Sequence, residues 1–282
     1  MSKTILISGI NGFLASNLVA LLKKEYTLYG IAKKAELVDG IEVFSSDRIE
    51  EIKIIPDFLI VCHAAVASGS IVLSNELLFE VNVGVTQRLV QKFREAKIIY
   101  VSSASIYDLD FNLIRENSTV NPKTDYAISK LWAEQIVAKT QNKVIIRVSS
   151  LFGLGMKENT IIPNYVNQAL QNGIIEVWGK GERKQNYILV QDACMYIKKA
   201  IEKFELVNSQ LLLVVSKTEY SNNELAQIIA EETNAKIVYI NSDNSKSCSY
   251  DNSHTCKLLD WTPNPNFLAE IKKYINWKKR QF

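Results

Sequence analysis

The most informative segment of the sequence is Thr4-Ile5-Leu6-Ile7-Ser8-Gly9-Ile10-Asn11-Gly12-Phe13-Leu14-Ala15. Branched apolar residues typical of a strand run directly into a glycine-containing turn, and apolar residues with helical spacing follow it. Glycines permit a tight turn and a close approach of the backbone, and a helix N-terminus offers free N–H groups and a partial positive charge. Such a turn, at the first strand-to-helix junction, predicts a pyrophosphate site. Its expected residues are Gly9, Asn11, Gly12, Phe13 and Leu14.

The same alternation of strand and helix continues along the chain. Branched apolar runs predict strands at 4–8, 27–32, 42–45, 58–62, 97–102, 143–148 and 211–215. Helical spacing predicts helices at 14–24, 77–95, 126–140, 160–171, 191–204, 222–233 and 266–279. This pattern is typical of an α/β protein with a Rossmann-type, doubly wound parallel sheet, followed by a smaller C-terminal α/β part.

The chain contains no repeat or proline-rich linker that would divide it in two. We therefore expect the second part to be built from an insertion and the C-terminus. Residues 1–153 and 187–216 are assigned to a dinucleotide-binding domain, and residues 154–186 and 217–282 to a substrate-binding domain.

Composition excludes several classes of protein. With 282 residues, 47% of them hydrophobic, the chain can bury a sizeable core. The net charge of +3 comes from 33 basic and 30 acidic residues spread along the sequence, which gives a nucleic-acid partner little support. Four cysteines without a CxxC pair and only two histidines argue against a metal site or a disulfide framework. No signal peptide or bilayer-length apolar run is visible, so we expect a soluble, cytoplasmic protein without a membrane partner.

The end of the second predicted strand bears on the choice of dinucleotide. A site specific for NAD usually places an acid there to bind the ribose hydroxyls. This sequence has Lys33 and Lys34 instead, and two lysines can neutralise a 2′-phosphate. The pattern therefore favours NADP, with NAD as the alternative.

Tyr126 and Lys130 are four residues apart, which places them on one face of a helix. An ammonium group near the phenol favours its anion, and we expect it to draw the pKa of Tyr126 toward working pH, as a general acid or base requires. The same spacing occurs at Tyr29/Lys33 and Tyr274/Lys278. Only Tyr126/Lys130 follows a serine cluster at the end of a central strand.

That cluster consists of Ser102, Ser103 and Ser105. It lies at the carboxyl end of the strand, where open α/β sheets bind their ligands. A serine hydroxyl at this edge can hydrogen-bond the carbonyl oxygen of a substrate and hold it for the tyrosine.

These motifs together resemble a known family. In order they are Gly9-x-x-Gly12-x-x-Ala15, His63-Ala64-Ala65, Asn82-Val83-Gly84-Val85-Thr86, Ser102-Ser103-Ala104-Ser105-Ile106-Tyr107 and Tyr126-x-x-x-Lys130. The same order is found in the extended short-chain dehydrogenases/reductases, and the chain resembles their sugar-nucleotide epimerase/dehydratase/reductase branch. Later landmarks such as Gly179-Lys180-Gly181 extend the resemblance over essentially the whole length.

The resemblance implies roles for individual residues. Ser103 would hold the carbonyl, Tyr126 would exchange the proton, and Lys130 would also bind the nicotinamide ribose. The other implied cofactor contacts are Lys33, Asp47, Ala64, Ala65, Asn82 and Ser149. The implied contacts with a nucleotide-sugar substrate are Ser105, Tyr107, Arg183 and Gln185. The resemblance also implies a homodimer formed through the helices 77–95 and 126–140, and a role in polysaccharide biosynthesis.

Departures from the family pattern narrow the reaction. The 4,6-dehydratases of the family carry acids after the serine or threonine, where this chain has Ala104 and Ser105. The dual epimerase-reductases that make GDP-fucose need a Cys/His pair, and Ser105 occupies the cysteine position. The usual Arg-Asp-Phe is replaced by Gln185-Asn186-Tyr187, which leaves Arg183 to bind the diphosphate.

Two reactions remain. Reduction of a 4-keto sugar nucleotide is favoured, and 4-epimerisation with tightly bound NAD is the alternative. The alternative outside the enzymes is a protein that binds a nucleotide without catalysing a reaction. The presence of all three residues, Ser103, Tyr126 and Lys130, argues against it.

Overall fold

A large parallel sheet lies at the centre of the computed structural model, which describes residues 2–66, 73–109, 113–263 and 266–281. The strands within these ranges are β1 (Thr4–Ser8), β2 (Thr27–Ala32), β3 (Glu36–Val38), β4 (Ile41–Ser45), β5 (Phe58–Val61), β6 (Lys97–Ser103), β7 (Leu113–Ile114), β8 (Lys143–Val148), β9 (Ser150–Phe152), β10 (Ile174–Trp178), β11 (Lys184–Leu189), β12 (Leu211–Val214), β13 (Glu219–Ser221), β14 (Lys236–Ile240) and β15 (Ser249–Tyr250).

The central sheet has eight strands in the order β12-β8-β6-β5-β1-β2-β4-β3. Every neighbouring pair is parallel except β3 and β4, which form an antiparallel hairpin. The chain order runs outward in both directions from β1, so a crevice opens at the carboxyl ends of β1 and β5.

The helices are α1 (Phe13–Leu22), α2 (Asn75–Phe79), α3 (Thr86–Lys92), α4 (Asp125–Val137), α5 (Ile161–Asn172), α6 (Val190–Glu202), α7 (Phe204–Val207), α8 (Asn222–Thr233), α9 (Ser253–Leu259) and α10 (Phe267–Lys279). A π-helical segment, Glu80–Val85, joins α2 to α3. The sequence predicted one α-helix over this whole region and did not reveal the wider turns. No helix of the described ranges is long and apolar enough to span a membrane.

Helices cover both faces of the sheet, as the sequence predicted. On one face, Leu18 of α1 and Ile197 of α6 are fully buried in a core with the strands. On the other face, Leu89 of α3 and Ala133 of α4 are buried in a second core. A fully buried sheet needs apolar residues at successive positions, which explains the near-continuous branched runs in its strands. The predicted fold class is confirmed.

A third core lies in the C-terminal part of the chain. It packs α5, α8 and α10 against β10, with Val177, Leu225 and Ile271 fully buried. The short strands of this part were not predicted, because several of them lack a continuous branched run. The predicted domain boundaries stay a prediction. Leu259 of α9, assigned from the sequence to the substrate part, is buried in the core of the large sheet.

Candidate active site

The glycine turn between β1 and α1 has a backbone that only glycine fits. Gly9 has a φ of +69°, and a Cβ built there would lie 2.7 Å from the Cα of His63. The Gly12 N–H donates to the Gly9 carbonyl oxygen at 2.8 Å, which closes the turn. Gly12 is also the N-cap of α1, and no side chain caps the helix. The first N–H groups of α1 therefore fit a phosphate group.

His63 supports this turn. The Thr86 hydroxyl donates to the Asn82 carbonyl oxygen at 2.8 Å and lies 3.2 Å from His63 Nε2, so it accepts from that nitrogen. His63 Nδ1 then accepts from the Ser8 hydroxyl at 2.7 Å. Burial and the nearby Lys130 lower the pKa of His63 to about 3. The imidazole is neutral and engaged at both nitrogens, which suits a structural role.

The serine cluster follows the end of β6. The Ser103 hydroxyl lies 2.8 Å from the Ser105 hydroxyl and accepts from the Ser105 N–H at 3.2 Å. These bonds shape a 3₁₀ turn, Ala104–Ile106, which holds Ser103 at the carboxyl edge of the sheet. Ser102, the residue before it, is buried, and within the described part of the chain its hydroxyl has no hydrogen-bond partner.

Helix α4 brings the tyrosine and the lysine to the same edge. The Thr124 side chain caps the helix by accepting from the Ala127 N–H at 3.2 Å, so Tyr126 lies in its first turn. Lys130 is almost completely buried, and its ammonium donates to the Val101 carbonyl oxygen at 2.7 Å. Burial lowers the pKa of Lys130 to about 8.

The phenol of Tyr126 differs from the sequence-based expectation. Burial raises the pKa of Tyr126, and a hydrogen bond from Ser103 only partly offsets this effect. The expected lowering by Lys130 is wrong for this structure, because loss of hydration is the largest influence on the phenol. The protonated form of Tyr126 is therefore favoured, which suits a proton donor.

These elements surround one cavity of about 950 Å³. The predicted site residues that line it are Gly9, Asn11, Gly12, Phe13, Leu14, Lys33, Ala64, Ser103, Ser105, Tyr126, Lys130, Ser149, Arg183 and Gln185. Four predicted residues are not among the lining: Asp47, Ala65, Asn82 and Tyr107.

Asn82 and Ala65 bind each other instead of facing the cavity. The Asn82 side chain accepts from the Ala65 N–H at 2.7 Å and donates to the Ala65 carbonyl oxygen at 3.0 Å. It also donates to the Ser129 hydroxyl at 2.9 Å. Asn82 thus ties the loop after β5 to α4, and it acts on the site through its neighbours.

Asp47 and Tyr107 lie elsewhere for different reasons. Asp47 is exposed on the 3₁₀ turn after β4, where its N–H is bonded to the Ser45 hydroxyl. Tyr107 is buried, with its ring under the Arg147 guanidinium at 4.6 Å and its hydroxyl bonded to the Glu116 carbonyl oxygen. Neither residue lines the cavity.

The cavity wall is basic. Of the residues that the structure describes, six cationic ones line it: Lys33, Lys130, Lys157, Arg183, Lys184 and Lys246. No aspartate or glutamate belongs to that lining in the described ranges. The Nε of Arg183 is buried and has no hydrogen-bond partner among the described residues, so this guanidinium has capacity to bind an anion. The wall thus suits ligands that carry several negative charges.

The sequence missed part of this wall. Lys157, Lys246, Cys248 and Tyr250 line the cavity, but none belongs to a recognisable local motif. One further group, the Glu36 carboxylate on β3, accepts a hydrogen bond from the Asn11 side chain in the glycine turn. The hairpin β3–β4 brings it there, and nothing in the local pattern indicated it. No cluster of metal-binding side chains occurs in the part of the chain described.

Comparison with known proteins agrees with this geometry. Residues 5–214 match the NAD dependent epimerase/dehydratase family. GDP-6-deoxy-D-talose 4-dehydrogenase of Aggregatibacter actinomycetemcomitans is 27% identical, over 80% of this chain and 79% of that protein. The dTDP-D-glucose 4,6-dehydratase of Mus musculus is 25% identical, over 100% of this chain and 90% of that protein.

Solved structures show the same fold. MoeE5 in complex with UDP-glucose and NAD has a TM-score of 0.86 at 19% identity, with 99% of each chain covered. UDP-glucuronic acid 4-epimerase of Bacillus cereus, in complex with UDP-glucuronic acid and NAD, has a TM-score of 0.85 at 18% identity, covering 99% of this chain and 100% of that one. The family match spans most of the chain and confirms the resemblance found in the sequence: the protein belongs to the NAD-dependent epimerase/dehydratase family.

Proposed function

We propose that this protein reduces the 4-keto group of a sugar nucleotide. The proposal rests on which proton-transfer groups line the cavity. Tyr126 and Ser103 line it together, and no carboxylate lines the described wall beside them. Elimination of water needs a further acid or base, whereas reduction of a carbonyl needs one proton donor.

The residues have distinct roles in this reaction. When bound, the dinucleotide supplies the hydride. The Ser103 hydroxyl donates a hydrogen bond to the substrate carbonyl oxygen, and Tyr126 delivers its proton to the same oxygen. Lys130 lines the same cavity and supplies a cation that can bind the ribose of the dinucleotide. Its bond to the Val101 carbonyl oxygen fixes the ammonium in place.

The choice of a sugar nucleotide rests on charge. Lys157, Arg183, Lys184 and Lys246 lie on the part of the wall contributed by the chain beyond β9. A nucleoside diphosphate supplies the negative charge that such a wall requires, and the Arg183 fork can bind it bidentately. The names of the similar proteins, among them a GDP-sugar dehydrogenase and a dTDP-sugar dehydratase, support the same substrate class.

The proposed cofactor is NADP. Lys33 lines the cavity beside the glycine turn, where a 2′-phosphate would need a cation. The neighbouring Lys34 is exposed. The NAD seen in the solved structures belongs to those proteins, whose likeness to this chain is one of fold.

A panel of UDP-, dTDP-, GDP- and CDP-linked 4-keto sugars, each tested with NADPH and NADH, tests the proposal. We expect one substrate to be reduced with one dinucleotide oxidised per product formed. Product formation without net oxidation of the dinucleotide, accompanied by inversion at C4, would overturn the reductase.

One observation favours 4-epimerisation as the second candidate. The Glu36 carboxylate lies at the glycine turn, bonded to Asn11, and an acid near this turn suits the ribose hydroxyls of NAD. An epimerase that recycles its NAD retains it through purification. Absorbance of the purified protein for bound dinucleotide, before any is added, therefore separates the two candidates.

The proposed assembly is a homodimer. Ile128 and Trp132 of α4 and Leu77 of α2 are large apolar residues exposed on one side of the molecule's helices, at 40%, 56% and 47%. A second copy would cover them. Light scattering of the purified protein tests this, and a monomer at all concentrations would contradict it.

A further inference from the structure

A buried ion pair lies beside the active site and takes no part in the proposed chemistry. Arg147 of β8 donates to both carboxylate oxygens of Glu134 on α4, at 3.0 and 2.7 Å. Their side chains are only 7% and 3% exposed. Among the ion pairs of the described ranges, no other has both partners so deeply buried.

The same arginine has a third neighbour on the serine turn. Its Cζ lies 4.6 Å from the centre of the Tyr107 ring. Tyr107 follows the 3₁₀ turn that begins after Ser103, and its N–H donates to the Ala104 carbonyl oxygen at 3.2 Å. Its hydroxyl is anchored to the Glu116 carbonyl oxygen at 3.0 Å. Movement of Arg147 would therefore be transmitted to the turn that carries Ser103.

The carboxylate partner lies on the helix that carries the other reactive groups. Glu134 follows Lys130 by one turn and Tyr126 by two turns of α4. On the strand side, Arg147 is paired with Ser102 in the register of β6 and β8, next to Ser103. The pair thus links α4, which carries Tyr126, to β8, the strand that is hydrogen-bonded to the Ser103-bearing strand β6.

We propose that Arg147 and Glu134 are positioning residues that, together with Tyr107, hold the serine turn in register with Tyr126 and Lys130. A buried ion pair adds little net stability, because burial removes the hydration of both charges. A planar guanidinium with two parallel hydrogen bonds and a stacked ring instead fixes the positions of Glu134 and Tyr107 relative to β8. Misplacement of reacting groups by about 1 Å can lower a rate by about a hundredfold.

Two conservative variants test this inference. Arg147→Lys keeps the charge but loses the fork and the stacking surface, and Glu134→Gln keeps the shape but loses the charge. We expect each to lower kcat about tenfold or more, with an unchanged KM for the dinucleotide. The double variant should lose no more than the worse single variant, since the two residues act as one unit. Losses that multiply, or a kcat equal to that of the unmodified protein, would overturn the inference.

A control and a second measurement separate positioning from stability. Val137→Ala removes a buried side chain from the same helix, outside the network, so it should lower Tm but keep kcat. Hydrogen exchange of residues 103–107, followed by mass spectrometry without any ligand, should be faster in Arg147→Lys and Glu134→Gln and unchanged in Val137→Ala. Unchanged exchange in both charge variants would refute the inference.

The kinetic part of this test rests on the proposed function, and the exchange part does not. If the unmodified protein reduces no 4-keto sugar nucleotide, the proposed function fails while the exchange result still decides the role of the ion pair. If only one charge variant folds, that variant and Val137→Ala suffice for the comparison.

Discussion

The Lys130 ammonium donates to the Val101 carbonyl oxygen at 2.7 Å and lies over the Tyr100 ring at 4.3 Å. The backbone of β6 therefore holds the one lysine that a motif of the sequence assigned to catalysis. The contact keeps a cation in a nearly water-free place, and burial lowers the pKa of Lys130 from 10.5 to about 8. The cation is retained at neutral pH and lost on moderate alkalinisation.

This shift predicts a pH dependence of stability. Between about pH 8 and pH 10.5 the folded chain holds Lys130 neutral while the unfolded chain holds it protonated. The unfolded state then binds more protons, so this residue makes the free energy of unfolding rise with pH. In Lys130→Met the contribution is absent. Urea unfolding across this range should show the unmodified protein gaining stability relative to the variant.

Lys53→Met is the matched control, because Lys53 is exposed. Its difference from the unmodified protein should not change with pH. A pH-independent difference for Lys130→Met as well would contradict the burial argument.

Loss of the Tyr126 hydroxyl should abolish reduction. Tyr126→Phe removes the proton donor, and we expect kcat to fall by about 10²- to 10⁴-fold while the dinucleotide still binds, as measured by fluorescence titration. Tyr29→Phe is a matched control, because Tyr29 precedes Lys33 at the same spacing but lies in β2. An active Tyr126→Phe would favour the non-catalytic alternative.

Charge reversal at the cavity rim should change the preference for the dinucleotide. Lys33 lines the cavity. We expect Lys33→Glu to raise the ratio of the KM for NADPH to the KM for NADH about tenfold, which corresponds to a loss of about 1.5 kcal/mol in binding free energy. Glu36→Gln should act in the opposite direction, since the carboxylate at Asn11 repels a 2′-phosphate.

Lys34→Glu is the control for long-range electrostatic effects, because it makes the same charge change at a neighbouring residue that does not line the cavity. A preference for NADH in the unmodified protein would contradict the proposed cofactor. An equal effect of the Lys33 and Lys34 variants would show that the phosphate has no direct contact with Lys33.

Two glycine variants separate the cost of a steric clash at the glycine turn from the cost of backbone strain. Gly9→Ala and Gly40→Ala both place a side chain at positive φ, +69° and +78°. Nothing lies within 4 Å of a Cβ at Gly40, whereas at Gly9 the Cα of His63 lies 2.7 Å away. We expect a loss of about 1 kcal/mol in Gly40→Ala and about 3 kcal/mol in Gly9→Ala, measured by denaturant unfolding. Equal losses would mean that His63 moves freely away from the turn.

Local patterns in the sequence predicted most of the sheet and its principal helices. Branched runs predicted β1, β2 and β8 with their observed bounds, because a strand buried on both faces must be apolar at successive positions. The π segment within 77–95 escaped prediction, because α and π turns share the same apolar pattern over so short a segment.

The site residues that could be predicted are those whose motif lies within a single turn or helix. The turn from Gly9 to Leu14 and the pair Tyr126 and Lys130 are of this kind, and the fold brings them to one cavity. Asp47 and Tyr107 were assigned to the site by resemblance alone, and neither lines the cavity: Asp47 is exposed, and Tyr107 is stacked against Arg147.

The amino-acid sequence was enough to predict the fold class and the candidate residues Ser103, Tyr126 and Lys130, because strand and helix periodicity and short motifs are local properties. Which charges surround these residues depends on contacts between elements that are far apart in the sequence. Glu36 reaches Asn11 through a hairpin, and Arg147 reaches Glu134 across the boundary of sheet and helix. The pKa of Tyr126 was decided in the same way, because it depends on how much water the folded chain excludes.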